Sequence, residues 1–183
     1  LIYTHYSPPL KEIITETNIK SNNHFAEYLF KAISLQKSEI GSTNNAISTI
    51  RKFWKEKGLP TDQLFQHDGS GLSPCDAVSA DFFVQLLTYM RNQSANSNDF
   101  YKSLPVSGGR GTLSSFGTGS ALQGKVHAKS GTIESVKCYA GYLELKNRTL
   151  VFAILVNNPD GTHKQVIKKM EDFLLDIMKD LNK

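Results

Sequence analysis

The sequence predicts an α+β chain. Three observations carry that prediction: several segments in the first half space apolar residues helically, three strand-like runs follow one another between residues 126 and 156, and an amphipathic segment closes the chain. With 183 residues, 39% of them hydrophobic and 10% aromatic, the chain can bury a core and is the size of one domain, which excludes a disordered tail.

Ser7-Pro8-Pro9 before Leu10, Ile13 and Ile14 reads as a capped helix start, because proline's missing N–H costs nothing in the first turn. A second helix opens after Ser21-Asn22-Asn23 with Phe25, Ala26, Leu29, Phe30 and Ile33 as its apolar face. A third starts at Ser42 and stops at Gly58 and Pro60, with Trp54 as a core anchor. A short apolar piece, Leu64-Phe65, leads into Asp68-Gly69-Ser70-Gly71-Leu72-Ser73-Pro74, whose small residues demand a structured loop. Ser79 caps the next helix, which buries Phe82, Phe83, Leu86, Leu87 and Met90. Residues 92 to 124, rich in Ser, Asn and Gly, read as a long ordered connection. Strands are expected at Val126 to Ile133, Lys137 to Leu145 and Leu150 to Val156. The last helix, from about His163, carries Val166, Ile167, Met170, Phe173, Leu174, Ile177, Met178 and Leu181 on one stripe that should pack against the sheet. There is no internal repeat or domain boundary, so residues 1–183 read as one unit.

The net charge of +4 and a pI near 9.0 are too mild to imply nucleic acid, since no Lys/Arg block exceeds two residues. The longest apolar run, Leu150 to Val156, is far short of the roughly 18 to 20 residues of a membrane-spanning helix. Cys75 and Cys138 lack metal or redox spacing, which leaves one disulfide open and gives no support for a bound metal or other cofactor. His5, His24, His67, His127 and His163 read as surface or supporting residues. The chain starts at Leu1 without a leader, so a mature piece or a fragment is expected.

Spacing excludes G-x-S-x-G, the Walker loop, H-E-x-x-H and a full G-x-G-x-x-G after a strand. What remains is Ser21-Asn22-Asn23 leading into a helix and Lys129-Ser130-Gly131-Thr132 on a strand, which match the S-x-N and K-[TS]-G motifs of penicillin-binding proteins and serine β-lactamases. Acyl transfer needs a hydroxyl to relay a proton to the leaving amine, an amide to hold the substrate's peptide group, and a cation to favour the proton's path. It also needs a backbone N–H for the oxyanion and a bare position where substrate lies along the strand. Ser21, Asn23, Lys129, the N–H of Thr132 and Gly131 fill those roles in turn.

The longer pattern is more specific. Tyr6-Ser7-Pro8-Pro9-Leu10, Ser21-Asn22-Asn23 with Ala26-Glu27, Asp68 to Ser73, Leu104-Pro105-Val106 with Gly111-Thr112-Leu113, and Ala128 to Thr132 follow in order. This pattern closely resembles the D-alanyl-D-alanine carboxypeptidase/endopeptidase family of low-molecular-mass penicillin-binding proteins (peptidase family S13, penicillin-binding protein 4 type), over essentially the whole chain. The resemblance implies an antiparallel sheet flanked by helices in a penicillin-binding/serine β-lactamase-like domain. It also implies an extracytoplasmic enzyme that acts on peptidoglycan stem peptides through an acyl-enzyme and binds β-lactams. Ser130 would then bind the substrate's terminal carboxylate with Lys129.

The family's S-x-x-K nucleophile motif precedes S-x-N, and nothing upstream of Ser21 fits it. Ser34-Leu35-Gln36-Lys37 has the spacing but follows Ser21 near a helix end, away from the N–H groups and dipole that favour an oxyanion. The expectation is therefore a C-terminal partial domain, inactive alone, whose partner is the missing N-terminal part of the same domain. Such a piece should expose an unpaired sheet edge and be unstable or self-associate. The alternatives are a nucleophile-free peptidoglycan-binding or scaffold module and a serine β-lactamase.

Overall fold

The computed structural model describes residues 2–36 and 39–181. Helix α1 (Leu10–Lys20) starts at Pro9 without any side-chain cap, so proline's fixed φ, and not the expected serine cap, sets its entry. Helix α2 (Asn23–Leu35) is capped by Asn22, whose side-chain oxygen accepts from the N–H of Phe25 at 3.1 Å. Asn22→Ala is therefore expected to cost about 1 kcal/mol. A lowered midpoint in urea unfolding checks it; an unchanged midpoint rejects the cap.

Helix α3 (Thr43–Glu56) starts where expected, with Ser42 accepting from the N–H of Asn45, and α4 (Ala80–Asn92) is capped as expected by Ser79, which accepts from the N–H of Phe82. Trp54 meets Tyr89 of α4 edge-on at 5.6 Å, which fits the expected anchor, although the indole is only half-buried. Leu64-Phe65 forms β1 (Leu64–Phe65) and pairs antiparallel with β2 (Ala77–Val78), a strand the sequence did not announce. The connection after α4 also contains a helix, α5 (Ser97–Ser103), which is too short and too polar to show a helical period.

Strands β3 (Val126–Ile133), β4 (Val136–Glu144) and β5 (Thr149–Asn157) form an antiparallel sheet in that order, within one residue of the expected bounds. Strand alternation gives the sheet two apolar faces. On one, Val126, Ala128, Tyr139, Leu143 and Phe152 pack on Val166, Met170, Leu174 and Met178 of α6 (His163–Leu181). On the other, Tyr142 meets Leu87 and Leu104, and its hydroxyl donates to the Leu87 carbonyl at 2.8 Å. The result is the expected antiparallel sheet flanked by helices.

Several expected core residues are exposed: Phe25 and Ile33 on α2, and Phe173 and Leu181 on α6. Their stripes are wider than the neighbours that cover them. The outer edge of β5 pairs with no strand among the described residues. At the other edge, Pro105 to Ser107 runs beside β3: the Pro105 carbonyl accepts from the N–H of Ala128, and the Ser107 N–H donates to Val126. That cover ends at Ala128. No described helix is long and apolar enough to cross a membrane.

Candidate active site

The two short motifs meet in space. Lys129 Nζ donates to Ser21 Oγ at 2.8 Å and to the Ser130 carbonyl at 2.8 Å, joining residues 108 positions apart. Ser21 lies between α1 and α2 in the left-handed region at φ 51°, and its N–H closes α1 onto the Thr17 carbonyl. Asn22, the variable position of the motif, caps α2, and Asn23 opens that helix. All six expected site residues, Ser21, Asn23, Lys129, Ser130, Gly131 and Thr132, line one cavity of about 480 Å³.

The open edge of β3 determines what its backbone offers. Val126 and Ala128 turn their backbone groups to the Pro105–Ser107 cover, so by alternation Ser130 and Thr132 turn theirs to the same, now uncovered, side. The Thr132 N–H thus faces outward. A Cβ on Gly131 would meet only the Cβ of Cys138, at 3.7 Å, and its φ is not left-handed. Neither packing nor backbone requires glycine there, whereas a ligand strand laid along β3 would.

Burial first, and the nearby charge of Lys137 second, push the Lys129 ammonium down to about 8. The loop after β1 forms the opposite wall. Burial alone would raise the Asp68 carboxyl, but hydrogen bonds from the N–H groups of Gly71 and Ser73 and the hydroxyl of Ser70 outweigh it and hold the group below its usual value. The loop is tied to α2 by the Gly69 N–H, which donates to Glu27 Oε2 at 2.7 Å. A Cβ on Gly69 would lie 2.4 Å from that of Phe30, so only glycine lets the loop lie this close.

Ser34 is buried and donates to the Lys31 carbonyl inside α2, remote from the cavity lining. Lys37, the other end of its S-x-x-K spacing, lies outside the described residues. Cys75 and Cys138 are both free thiols. His127 stacks on Tyr101 at 4.3 Å, with burial lowering its pKa.

Sequence reasoning missed Lys137, which also lines the cavity, and left Thr112 without a role beyond structure; Thr112 Oγ1 lies 2.8 Å from Ser130 Oγ. Lys137 belongs to no motif. Counting across the two-residue β3–β4 turn would have found it, because that register sets it opposite Thr132.

Residues 1–177 match the D-Ala-D-Ala carboxypeptidase 3 (S13) family. The D-alanyl-D-alanine carboxypeptidase of Actinomadura sp. (strain R39) is 33% identical over 162 residues, covering 86% of this chain and 30% of that protein. Penicillin-sensitive carboxypeptidase A of Dictyostelium discoideum is 26% identical over 180 residues, 92% of this chain and 34% of that protein. The chain thus spans about a third of the length of these relatives. The crystal structure of penicillin binding protein 4 (dacB) from Haemophilus influenzae, complexed with a β-lactam, shares the fold with a TM-score of 0.87 at 20% identity, over 95% of this chain and 42% of that one. Sequence, fold and the meeting of the two motifs agree, and the chain belongs to the D-Ala-D-Ala carboxypeptidase 3 (S13) family.

Proposed function

We propose that these 183 residues form the C-terminal part of a serine-type D-Ala-D-Ala carboxypeptidase/endopeptidase domain that acts on peptidoglycan stem peptides outside the cytoplasm, with the nucleophilic serine supplied by a segment beyond them. The observation that carries the reading is the 2.8 Å contact of Lys129 Nζ with Ser21 Oγ on the wall of a polar cavity. In this reading the nucleophile's oxygen adds to the carbonyl carbon of the penultimate D-Ala. The Thr132 N–H stabilises the resulting oxyanion, and Asn23 holds the substrate's amide. As the C–N bond breaks, Ser21 passes a proton to the departing amine, so that the proton lost by the nucleophile is matched by the one the leaving D-Ala gains. Water then hydrolyses the acyl-enzyme ester. Ser130 and Lys129 bind the terminal carboxylate, and a β-lactam enters by the same route and remains as an adduct.

The unpaired β5 edge and the exposed apolar residues of α2 support docking of the missing N-terminal part, without which the piece is inactive and prone to associate. The test is to incubate the natively purified protein with a penicillin and record the intact mass of every polypeptide. The expected result is one adduct, mapping by peptide digestion to a serine outside residues 1–183. An adduct on Ser34 or another serine of this chain overturns the placement of the nucleophile. No adduct on any polypeptide makes a nucleophile-free binding module the better account, and rapid turnover of the penicillin makes it a β-lactamase.

A further inference from the structure

Lys137 stands across the sheet from Thr132 and is 8% exposed. Its Nζ donates to Thr132 Oγ1 at 2.6 Å and lies 5.0 Å from the centre of the Tyr139 ring. Among the described residues it forms no ion pair, and neither does Lys129. Two ammonium groups therefore line one cavity with no carboxylate to balance them.

Two like charges on one cavity are costly without a counter-charge. A buried charge wants a partner, and the ring face of Tyr139 is a weak one. Burial lowers the Lys137 ammonium, and the charge of Lys137 adds to the lowering of Lys129. An anion entering the cavity would relieve both groups together.

The hydroxyl that Lys137 holds gives the direction. Thr132 Oγ1 accepts from Lys137, so its own proton is free to point elsewhere, and Thr132 lines the cavity. A hydroxyl that accepts from an ammonium is polarised and donates more strongly. Ser130 Oγ, one step along the strand, is held by Thr112 Oγ1 at 2.8 Å. The rim beside Gly131 thus offers fixed hydroxyls backed by two cations.

We propose that Lys137 is a positioning residue that selects ligands ending in a free carboxylate, by orienting Thr132 Oγ1 as a donor to that carboxylate and adding a second positive charge beside Lys129. The inference rests on the reading of this cavity as the peptidase site. A purely structural Lys137 would need only its hydrogen bond to Thr132. Glutamine keeps a donor there without the charge; arginine keeps the charge.

The test measures second-order acylation rates of the complete protein by benzylpenicillin and by its methyl ester, for wild type, Lys137→Gln and Lys137→Arg. Wild type is expected to prefer the free acid. In Lys137→Gln the rate with the acid should fall about tenfold, equivalent to about 1.4 kcal/mol, with the ester rate changed by less than about twofold. Lys137→Arg should restore most of the preference. Acid and ester rates that fall together, or that both stay at the wild-type value, overturn the role of Lys137 and leave the peptidase reading intact. A wild-type protein acylated by neither compound overturns that reading and this inference with it.

Discussion

Lys129→Ala in the complete protein is expected to lower the rate of acylation by a penicillin about 10²- to 10³-fold, the range seen when a positioned charge-stabilising group is removed from an acyl-transfer site. The side chain is the meeting point of the site: it holds Ser21 Oγ and the Ser130 carbonyl at once. Removing it frees Ser21 Oγ, the hydroxyl proposed to relay the proton. It leaves no buried carboxylate orphaned, because Lys129 pairs with none among the described residues, so the melting temperature should not fall. Lost rate with retained melting separates a chemical role from a structural one, and an unchanged rate removes Lys129 from the mechanism. The wild-type protein offers an independent check. Burial, then the charge of Lys137, pushes Lys129 down to about 8, so the ammonium is charged below that pH and neutral above it. A group acting as a cation gives an acylation rate that declines as pH rises through about 8. A rate that climbs there would make Lys129 a base.

Gly141→Ala should have the largest effect on folding. A Cβ at this position would lie 2.2 Å from the carbonyl oxygen of His127 and 2.5 Å from Cα of Ala128, both backbone atoms of β3. Neither can rotate away. The strand must shift just before the residues that carry the K-[TS]-G motif, at a cost of about 3 kcal/mol. Urea unfolding reads the loss, and the penicillin adduct should vanish with it. Gly131→Ala is the matched control on the neighbouring strand: its added methyl meets one side-chain atom at an ordinary distance, so the unfolding midpoint should hold while acylation drops. A wild-type midpoint for Gly141→Ala would mean that β3 and β4 are less tightly apposed than described.

Periodicity made much of this fold legible. Strand β3 was read to the residue, and β4 and β5 to within one, because strand-like runs of apolar residues, continuous in β5, are a local property. The Ser79 cap and the helix start at Ser42 were readable for the same reason, since a cap acts within its own first turn. Local patterns do not say what covers an apolar stripe. Phe25 and Phe173 were therefore assigned to the core although their stripes extend beyond it. Helix α5 was hidden because its seven residues give less than two full turns of pattern. The site was legible mainly through the ordered motifs: no spacing rule links Ser21 to Lys129, Glu27 acts across a contact that exists only once the chain is folded, and Lys137, in no motif, is reached only by the hairpin register.

Ser21 has a cost that bears on engineering. A serine at φ 51° sits where a side chain is disfavoured by roughly 1–2 kcal/mol, and glycine would follow the same backbone without that penalty. A directed-evolution campaign that ranks variants by heat tolerance would therefore reward Ser21→Gly, discarding the hydroxyl that meets Lys129. Thermal robustness and the S-x-N motif compete at this residue, and a library sorted on folding alone would drift away from that motif.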